Sequence, residues 1–132
     1  MKKEPSQAIH GVMHLAFDQH HDDRGFFMET FRRSWFADSE FVQGNLSRSD
    51  QGVLRGLHYH TRQEDLWLIP HGKALVTLVD LRASSPSFQQ VEQFELYGSK
   101  AVHIPVGVAH GFYAIEPTLM SYLVTNYYDG SD

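Results

Sequence analysis

The segment Gly52-Val-Leu-Arg-Gly-Leu-His-Tyr-His60 is the stretch of sequence that decides the predicted fold. Side chains alternate between the two faces of a β-strand, so His58 and His60 share one face while Leu57 and Tyr59 share the other. Two imidazole rings therefore lie in one environment. A strand of this kind is expected in the wall of a closed or double-sheet β-structure, where alternate side chains converge on an enclosed pocket.

Short β-rich segments lie on both sides of this stretch, and turn-forming residues such as 22–25, 84–86 and 105–107 separate them. Only residues 32–40 have the pattern of a short helix. The segments rich in β-branched and aromatic residues, each predicted to be a strand, are 26–31, 53–60, 65–69, 74–81, 91–96, 101–104, 111–115 and 119–127. Eight strands predict an all-β jelly-roll barrel, with residues 1–132 forming a single domain.

The composition argues against several classes of protein. The formal net charge is −5, and no run of Lys or Arg is long enough to follow a nucleic-acid backbone, so we expect no nucleic-acid polymer as partner. Cysteine is absent, which excludes disulfides and thiolate zinc sites and is compatible with a reducing compartment. The sequence shows neither a signal peptide nor an apolar run of membrane-spanning length. We therefore expect a cytoplasmic protein with no membrane partner.

A second histidine motif, Pro105-Val-Gly-Val-Ala-His110, follows in a separate segment. Together with residues 52–72 it resembles the two cupin motifs, which implies a cupin double-stranded β-helix. Three imidazoles and one carboxylate suit a divalent metal, but paired strand histidines also serve as hydrogen-bonding or acid–base groups. We favour a site without a cofactor. If a metal binds, its expected ligands are His58, His60, Glu64 and His110.

A longer resemblance rests on five motifs that occur in one order. They are Asp23-Arg-Gly-Phe-Phe-Met-Glu29, Gln43-Gly-Asn-Leu-Ser47, Gly52-Val-Leu-Arg-Gly-Leu-His-Tyr59, Val79-Asp-Leu-Arg82 and Ala109-His-Gly-Phe112. From about residue 18 to residue 128 the chain resembles the dTDP-4-dehydrorhamnose 3,5-epimerase family. This implies an isomerase that removes a proton next to the keto group of a dTDP-4-keto-6-deoxy sugar. The implied outcome is 3,5- or 3-epimerisation in deoxysugar or polysaccharide biosynthesis.

The resemblance also implies which residues bind the substrate. Arg24 and Arg55 would bind the nucleotide diphosphate, because a guanidinium can bind phosphate oxygens in a bidentate manner. His110 would lie near the pocket floor, with Asp80 fixing its tautomer from behind. The residues expected to place the nucleotide and sugar are Glu29, Gln43 and Asn45.

The catalytic roles follow from the same resemblance. His58 would take the proton beside the 4-keto group, since an imidazole is a suitable base for such a step. Tyr122 is the first match for the residue that returns a proton, and Tyr128 is the second. His60 stands where the family usually has Gln, and Asp65 stands where it has a Lys that steadies the enolate. A carboxylate there would repel the developing negative charge.

Two departures keep other functions open. The family pairs its catalytic His with an Asp from a more C-terminal segment, which has no counterpart before Asp132. The shortened His-x-His segment instead resembles the dTDP-4-keto-6-deoxyglucose 3,4-ketoisomerases. A metal-dependent cupin, either a dioxygenase or a small-acid isomerase, and a non-catalytic sugar-nucleotide binding module are further alternatives. Sheet edges rich in Phe and Val predict a homodimer.

Overall fold

The computed structural model describes residues 1–130, which form twelve β-strands and one short 3₁₀ turn. The strands are β1 (Lys2–Pro5), β2 (Met13–Ala16), β3 (Gln19–Asp22), β4 (Gly25–Met28), β5 (Gln43–Ser49), β6 (Leu54–His58), β7 (Asp65–His71), β8 (Ala74–Asp80), β9 (Val91–Leu96), β10 (Lys100–Ile104), β11 (Val108–Ala114) and β12 (Thr118–Val124). The predicted all-β fold class is confirmed. Within residues 1–130, no helix is long and apolar enough to cross a membrane.

Two antiparallel sheets face each other. The first has six strands in the order β1-β2-β10-β7-β12-β5, and the second has four in the order β6-β11-β8-β9. Strands β3 and β4 pair only with each other, as a separate two-stranded sheet. Because β5 and β6 are the edge strands on the same side of the sandwich, this side is where the two sheets part and leave room for a pocket.

The apolar core lies between the two sheets. Residues of β8 alternate strictly between buried and half-buried positions, and Val76 and Leu78 are fully buried. From the opposite sheet Ile69, Val102 and Ile104 complete the same cluster. Burying each aliphatic side chain of this size contributes about 1.5–3 kcal/mol to folding, so this cluster sets the spacing of the sheets.

A second apolar layer covers the outer face of the six-stranded sheet. Leu66 and Leu68 of β7 point to this face and pack with Phe17 and Phe36. Phe36 also lies edge-on against the ring of His103, with ring centroids 5.3 Å apart. The loop that carries Phe36 is thereby fixed to the sheet.

The helix predicted over residues 32–40 is wrong. Only Arg33–Trp35 form a 3₁₀ turn, and Arg32, which precedes it, makes no side-chain capping hydrogen bond. Aromatic packing determines this segment instead, because Phe36 and Phe41 meet edge to face at 5.3 Å. Four observed strands, β1, β2, β3 and β5, were not predicted. The sequences of β1, β3 and β5 are rich in charged and polar residues, and β2 is only four residues long.

Candidate active site

A cavity of about 450 Å³ opens between the sheets on the side of the edge strands β5 and β6. Most of the residues predicted for the site line it. These are Gln43, Asn45, Arg55, His58, His60, His110, Tyr122 and Tyr128. The remaining predicted residues, Arg24, Glu29, Glu64 and Asp80, lie elsewhere among the described residues.

Strand β5 provides one wall of the cavity. Its residues alternate between half-buried and exposed positions, so that Gln43, Asn45 and Ser47 face the cavity. The Gln43 side-chain amide donates a 2.9 Å hydrogen bond to the side-chain oxygen Oδ1 of Asn45. Asn45 also stands directly opposite Tyr122 of β12 in the sheet register. The polar inward face of β5 thus forms a row of hydrogen-bonding groups beside a tyrosine.

The opposite wall depends on a β-bulge in β6. His58 pairs with His110 and Arg55 with Phe112, so three steps along β6 match two along β11. An unbulged strand would send Arg55 and His58 to opposite faces, because they are three residues apart. The extra residue changes the direction of the strand's side chains, as bulges next to active sites commonly do. Both residues consequently line the cavity.

Two glycines allow the bulge. Gly56 has φ +102°, and a Cβ added there would lie 2.7 Å from the Cα of Gly111. A Cβ on Gly111 would in turn lie 2.6 Å from the carbonyl oxygen of Arg55. The backbones of β6 and β11 therefore approach too closely for any side chain at these positions.

Arg55 is fixed at its wall by a neighbour. Its Nε donates a 2.8 Å hydrogen bond to the hydroxyl of Ser49, which is buried. That bond uses one of the five N–H groups of a guanidinium. The others belong to a rigid planar fork suited to phosphate oxygens. Arg55 is thus a positioned anion-binding group at the cavity.

The cavity floor combines one carboxylate with two imidazoles. Asp65 is buried and accepts hydrogen bonds from the Gln63 side chain at 2.9 Å and from the Trp67 indole at 3.0 Å. Its oxygens lie 3.9 Å from His60 Nε2 and 4.0 Å from His110 Nε2. The rings of His60 and His110 are 5.3 Å apart between centroids.

His110 is held as a neutral imidazole. Its Nδ1 lies 2.9 Å from the carbonyl oxygen of Val108, and a carbonyl only accepts, so Nδ1 carries the hydrogen. Burial lowers the pKa of His110 below its ordinary value, and the nearby Asp65 carboxylate only partly opposes this effect. The Nε2 atom therefore presents a lone pair toward Asp65.

The prediction that Asp80 orients His110 is wrong. Asp80 lies on β8, and no described residue of that strand lines the cavity. Its carboxylate accepts hydrogen bonds from Arg82, Ser85 and Ser87. Burial alone would raise the pKa of Asp80, but these hydrogen bonds outweigh burial and hold the pKa well below its ordinary value. Asp80 therefore fixes the turn after β8.

The predicted ligand set that includes Glu64 is also wrong. Glu64 accepts hydrogen bonds from Ser39 and from His103 Nε2, both at 3.1 Å. These contacts join the loop before β5 to the outer face of the six-stranded sheet. Asp65, the next residue, points inward in place of Glu64, because neighbouring strand residues face opposite ways. The described group that could hold a metal is His60, Asp65 and His110.

Arg24 lies in the turn between β3 and β4, and Glu29 directly follows β4. The Arg24 side chain is 90% exposed and binds Asp22 at 2.7 Å. Glu29 accepts hydrogen bonds from Arg32. Neither residue lines the cavity of its own chain.

Some residues of the cavity were absent from the sequence-based set. Trp67 and Asp65 both line it, and their i, i+2 spacing on β7 is the signal that could have indicated a shared inward face. The segment after β12 adds Tyr127 and Asp129. Tyr128 is tied to β5 through its backbone N–H, which donates to the Gln43 side chain at 3.3 Å.

Comparisons with known proteins agree with this geometry. A family model described as dTDP-4-dehydrorhamnose 3,5-epimerase matches residues 6–132. The dTDP-4-dehydrorhamnose 3,5-epimerase of Neisseria gonorrhoeae is 43% identical over 117 residues, covering 82% of this chain and 36% of that protein. The spore coat polysaccharide biosynthesis protein SpsL of Bacillus subtilis (strain 168) is 36% identical over 125 residues, covering 92% of this chain and 83% of SpsL.

A solved structure extends the similarity to the fold. The dTDP-6-deoxy-D-glucose-3,5-epimerase RmlC of Legionella pneumophila Philadelphia 1, in complex with dTDP-4-keto-L-rhamnose, matches with a TM-score of 0.89 and 35% identity. The match covers 97% of this chain and 73% of that one. The chain thus spans only about a third of the Neisseria relative's length but most of SpsL and of the Legionella chain. From its motifs, its fold and its cavity, this chain belongs to the dTDP-4-dehydrorhamnose 3,5-epimerase family.

Proposed function

We propose that the chain is an isomerase that epimerises a dTDP-4-keto-6-deoxy sugar by moving a proton next to the keto group. One observation carries the proposal: His58 and Tyr122 line the same cavity from opposite walls. His58 belongs to the four-stranded sheet and Tyr122 to the six-stranded sheet. Epimerisation requires removal of a proton from one face of the ring and its return on the other. A base and an acid on facing walls suit that requirement.

Substrate binding is assigned to the polar groups around this pair. The Arg55 guanidinium binds the diphosphate, since its fork matches phosphate oxygens. Gln43 and Asn45 hold the hydroxyl groups and nucleotide by hydrogen bonds along β5. The Legionella relative was solved with dTDP-4-keto-L-rhamnose, which supports a dTDP-linked keto sugar as ligand.

The proton transfers need no cofactor. His58 takes the C3 proton as the C3–H bond electrons move into the ring and the keto oxygen becomes an enolate oxygen. His60 donates a hydrogen bond to that oxygen, where negative charge develops. As the enolate re-forms the ketone, Tyr122 delivers a proton to C3 on the opposite face, and solvent carries the proton held by His58 back to the Tyr122 phenolate. Tyr128 borders the mouth and is the second candidate for this acid.

The direct test is isotope exchange. The protein is incubated with dTDP-4-keto-6-deoxyglucose in deuterated water, and the sugar is followed by NMR. We expect deuterium at C3, and at C5 as well for a double epimerase, with inverted configuration. No exchange at either carbon, together with tight dTDP binding, would instead establish a non-catalytic binding module. Exchange that requires a metal would establish a metal-dependent cupin.

A 3,4-ketoisomerase is the second candidate, and one observation favours it. His58 and His60 both line the cavity from the same short segment, so a proton taken by one could return from the same face. The exchange assay separates the two reactions, because a ketoisomerase yields a 3-keto sugar without label at C5.

A homodimer would explain the position of Arg24. The sheet of β3 and β4 pairs with neither main sheet and leaves Phe26 57% and Phe27 66% exposed. Such apolar exposure on a separate hairpin suits burial against another copy. We propose that this hairpin docks on a second chain and brings Arg24 and Glu29 to that chain's cavity.

Mixing two inactive variants tests the shared site. If Arg24 acts in the partner's cavity, Arg24→Ala damages the cavity of the partner chain, whereas His58→Asn damages the cavity of its own chain. If Arg24 acts in the partner's cavity, mixed dimers contain one intact site, and mixing restores up to about half of the activity per mixed dimer. Activity that does not recover, in dimers confirmed by light scattering to exchange, would show that each chain uses its own Arg24.

A further inference from the structure

The floor of the cavity contains a cluster of three side chains, of which the proposed isomerisation uses only His60. His60, Asp65 and His110 each offer one ligand atom, and these atoms all lie within 4.8 Å of one another. The carboxylate oxygens are 3.9 Å from His60 Nε2 and 4.0 Å from His110 Nε2. These separations are too long for hydrogen bonds, which end near 3.2 Å for N–H···O. Two ligand atoms bound to one tetrahedral ion, each about 2.1 Å from it, lie about 3.4 Å apart, so these side chains would close by about 0.5 Å on binding an ion.

The position of the hydrogen on His110 leaves no hydrogen bond between its Nε2 and Asp65. Its Nδ1 hydrogen is donated to the Val108 carbonyl, so the neutral ring turns the Nε2 lone pair toward the carboxylate. A lone pair facing a carboxylate oxygen is repulsive unless a positively charged group lies between them.

The surrounding hydrogen bonds are those found around metal ligands. A metal-binding imidazole usually donates its other N–H to a backbone carbonyl or carboxylate, and a metal-binding carboxylate is itself hydrogen-bonded. His110 follows the first rule through Val108. Asp65 follows the second through Gln63 and Trp67. These hydrogen bonds fix the orientation of the His110 ring and of the Asp65 carboxylate.

We propose that His60, Asp65 and His110 form a binding site for a first-row divalent transition-metal ion such as Zn²⁺ or Co²⁺. Two imidazoles and one carboxylate are a ligand set suited to such ions rather than to Mg²⁺ or Ca²⁺, which prefer oxygen. All three residues line the cavity, so an ion bound to them would be accessible from it. An ion here also balances the charge of the buried Asp65 carboxylate.

The test uses metal-free protein and Co²⁺ alone, with no sugar nucleotide present, so its result does not depend on the isomerase reaction. Visible absorption follows ligand-field bands of Co²⁺, and calorimetry with Zn²⁺ gives the stoichiometry. We expect one ion per chain in wild type and a loss of affinity of about 100-fold in Asp65→Asn, because that change removes the charged ligand.

Two control variants separate this site from other histidine–carboxylate pairs. Glu64→Gln alters the neighbouring carboxylate that faces His103, and His14→Gln alters a surface-side pair with Glu92. Both should bind Co²⁺ as wild type does. Equal affinity in Asp65→Asn and wild type, or loss of binding in His14→Gln, would overturn the proposal.

A crystal of wild-type protein grown with Co²⁺ provides a readout that does not depend on variants. Anomalous scattering should place the ion about 2.1 Å from each of the three ligand atoms. A peak elsewhere, or none at saturating Co²⁺, would overturn the proposal.

Discussion

His58 and His110 stand directly opposite each other on the paired strands β6 and β11, yet one is exposed and the other is buried. The difference arises because β6 is the edge strand of its sheet and β11 is an interior strand. Two imidazoles side by side therefore have different surroundings. The accessible one suits proton exchange with a bound sugar, and the buried one suits a fixed role at the cavity floor.

Replacing the accessible imidazole should stop the chemistry and spare binding. For His58→Asn we expect deuterium uptake at C3 to fall by about 10²–10⁴-fold, the usual contribution of a general base. Affinity for dTDP, measured by calorimetry, should stay within about threefold of wild type, since Arg55 is untouched. His71→Asn, at the exposed end of β7 and outside the cavity, is the matched control. Exchange that survives in His58→Asn would assign the base to another residue.

Arg55→Lys should weaken nucleotide binding. Lysine keeps the charge but loses the planar fork and the hydrogen bond from Nε to Ser49. We expect the Kd for dTDP to rise about 10- to 100-fold, as for the loss of one or two charge-assisted hydrogen bonds. Arg48→Lys, at an exposed position of β5 outside the cavity, should leave the Kd unchanged. Similar Kd values for Arg55→Lys and wild type would remove Arg55 from the diphosphate site.

Gly56→Ala should destabilise the protein through the bulge. The new Cβ would meet the Gly111 backbone at 2.7 Å, in addition to the cost of a positive φ. We expect a loss of about 3 kcal/mol or more in the free energy of unfolding, measured with urea.

Gly98→Ala supplies the comparison, because Gly98 has φ +65° but its Cβ would meet nothing within 4 Å. We expect Gly98→Ala to lower the free energy of unfolding by only about 1 kcal/mol. Equal costs at the two glycines would mean that the strands move apart easily, and that the bulge tolerates a side chain.

Asp80 should make stability dependent on acid pH. Its folded pKa lies below the ordinary value of 3.8, so its contribution is complete above pH 3.8 and is lost as the pH falls through the folded pKa. At pH 7 we expect Asp80→Asn to lose about 2–4 kcal/mol in the free energy of unfolding. The difference from wild type should shrink below pH 3.8.

Asp22→Asn provides the matching exposed acid, since Asp22 pairs with Arg24 on the outer hairpin. Its stability should stay close to that of wild type at any pH, because solvent screens an exposed ion pair. If the free energy of unfolding of Asp80→Asn differed from that of wild type by the same amount from pH 7 to pH 3, the ionised Asp80 carboxylate would not be the source of the stability.

The inward face of a strand was predicted correctly from the sequence where its residue types differ from those of the outward face. His58 and His60 were expected on one side, and both line the cavity. Strand β5 was missed for the opposite reason: its inward residues Gln43, Asn45 and Ser47 are polar because they border a cavity, so no apolar alternation marked the strand.

The errors at the site come from tertiary structure. Glu64 and Asp65 are adjacent acids, and a shift of one residue in a strand exchanges the inward and outward faces. Asp80 was expected beside His110, but strand order places β8 behind β11, away from the cavity. Sequence spacing alone does not specify which strand borders a cavity.

The placement of the two walls on different sheets has a mechanical consequence. The distance between His58 and Tyr122 is set by the apolar side chains packed between the two sheets, rather than by the residues of the site. Val76 and Leu78, which never reach the cavity, therefore act as spacers for a proton-transfer distance. We therefore expect the proposed activity to change when a methyl group is removed from this core, without any change to a group that lines the cavity.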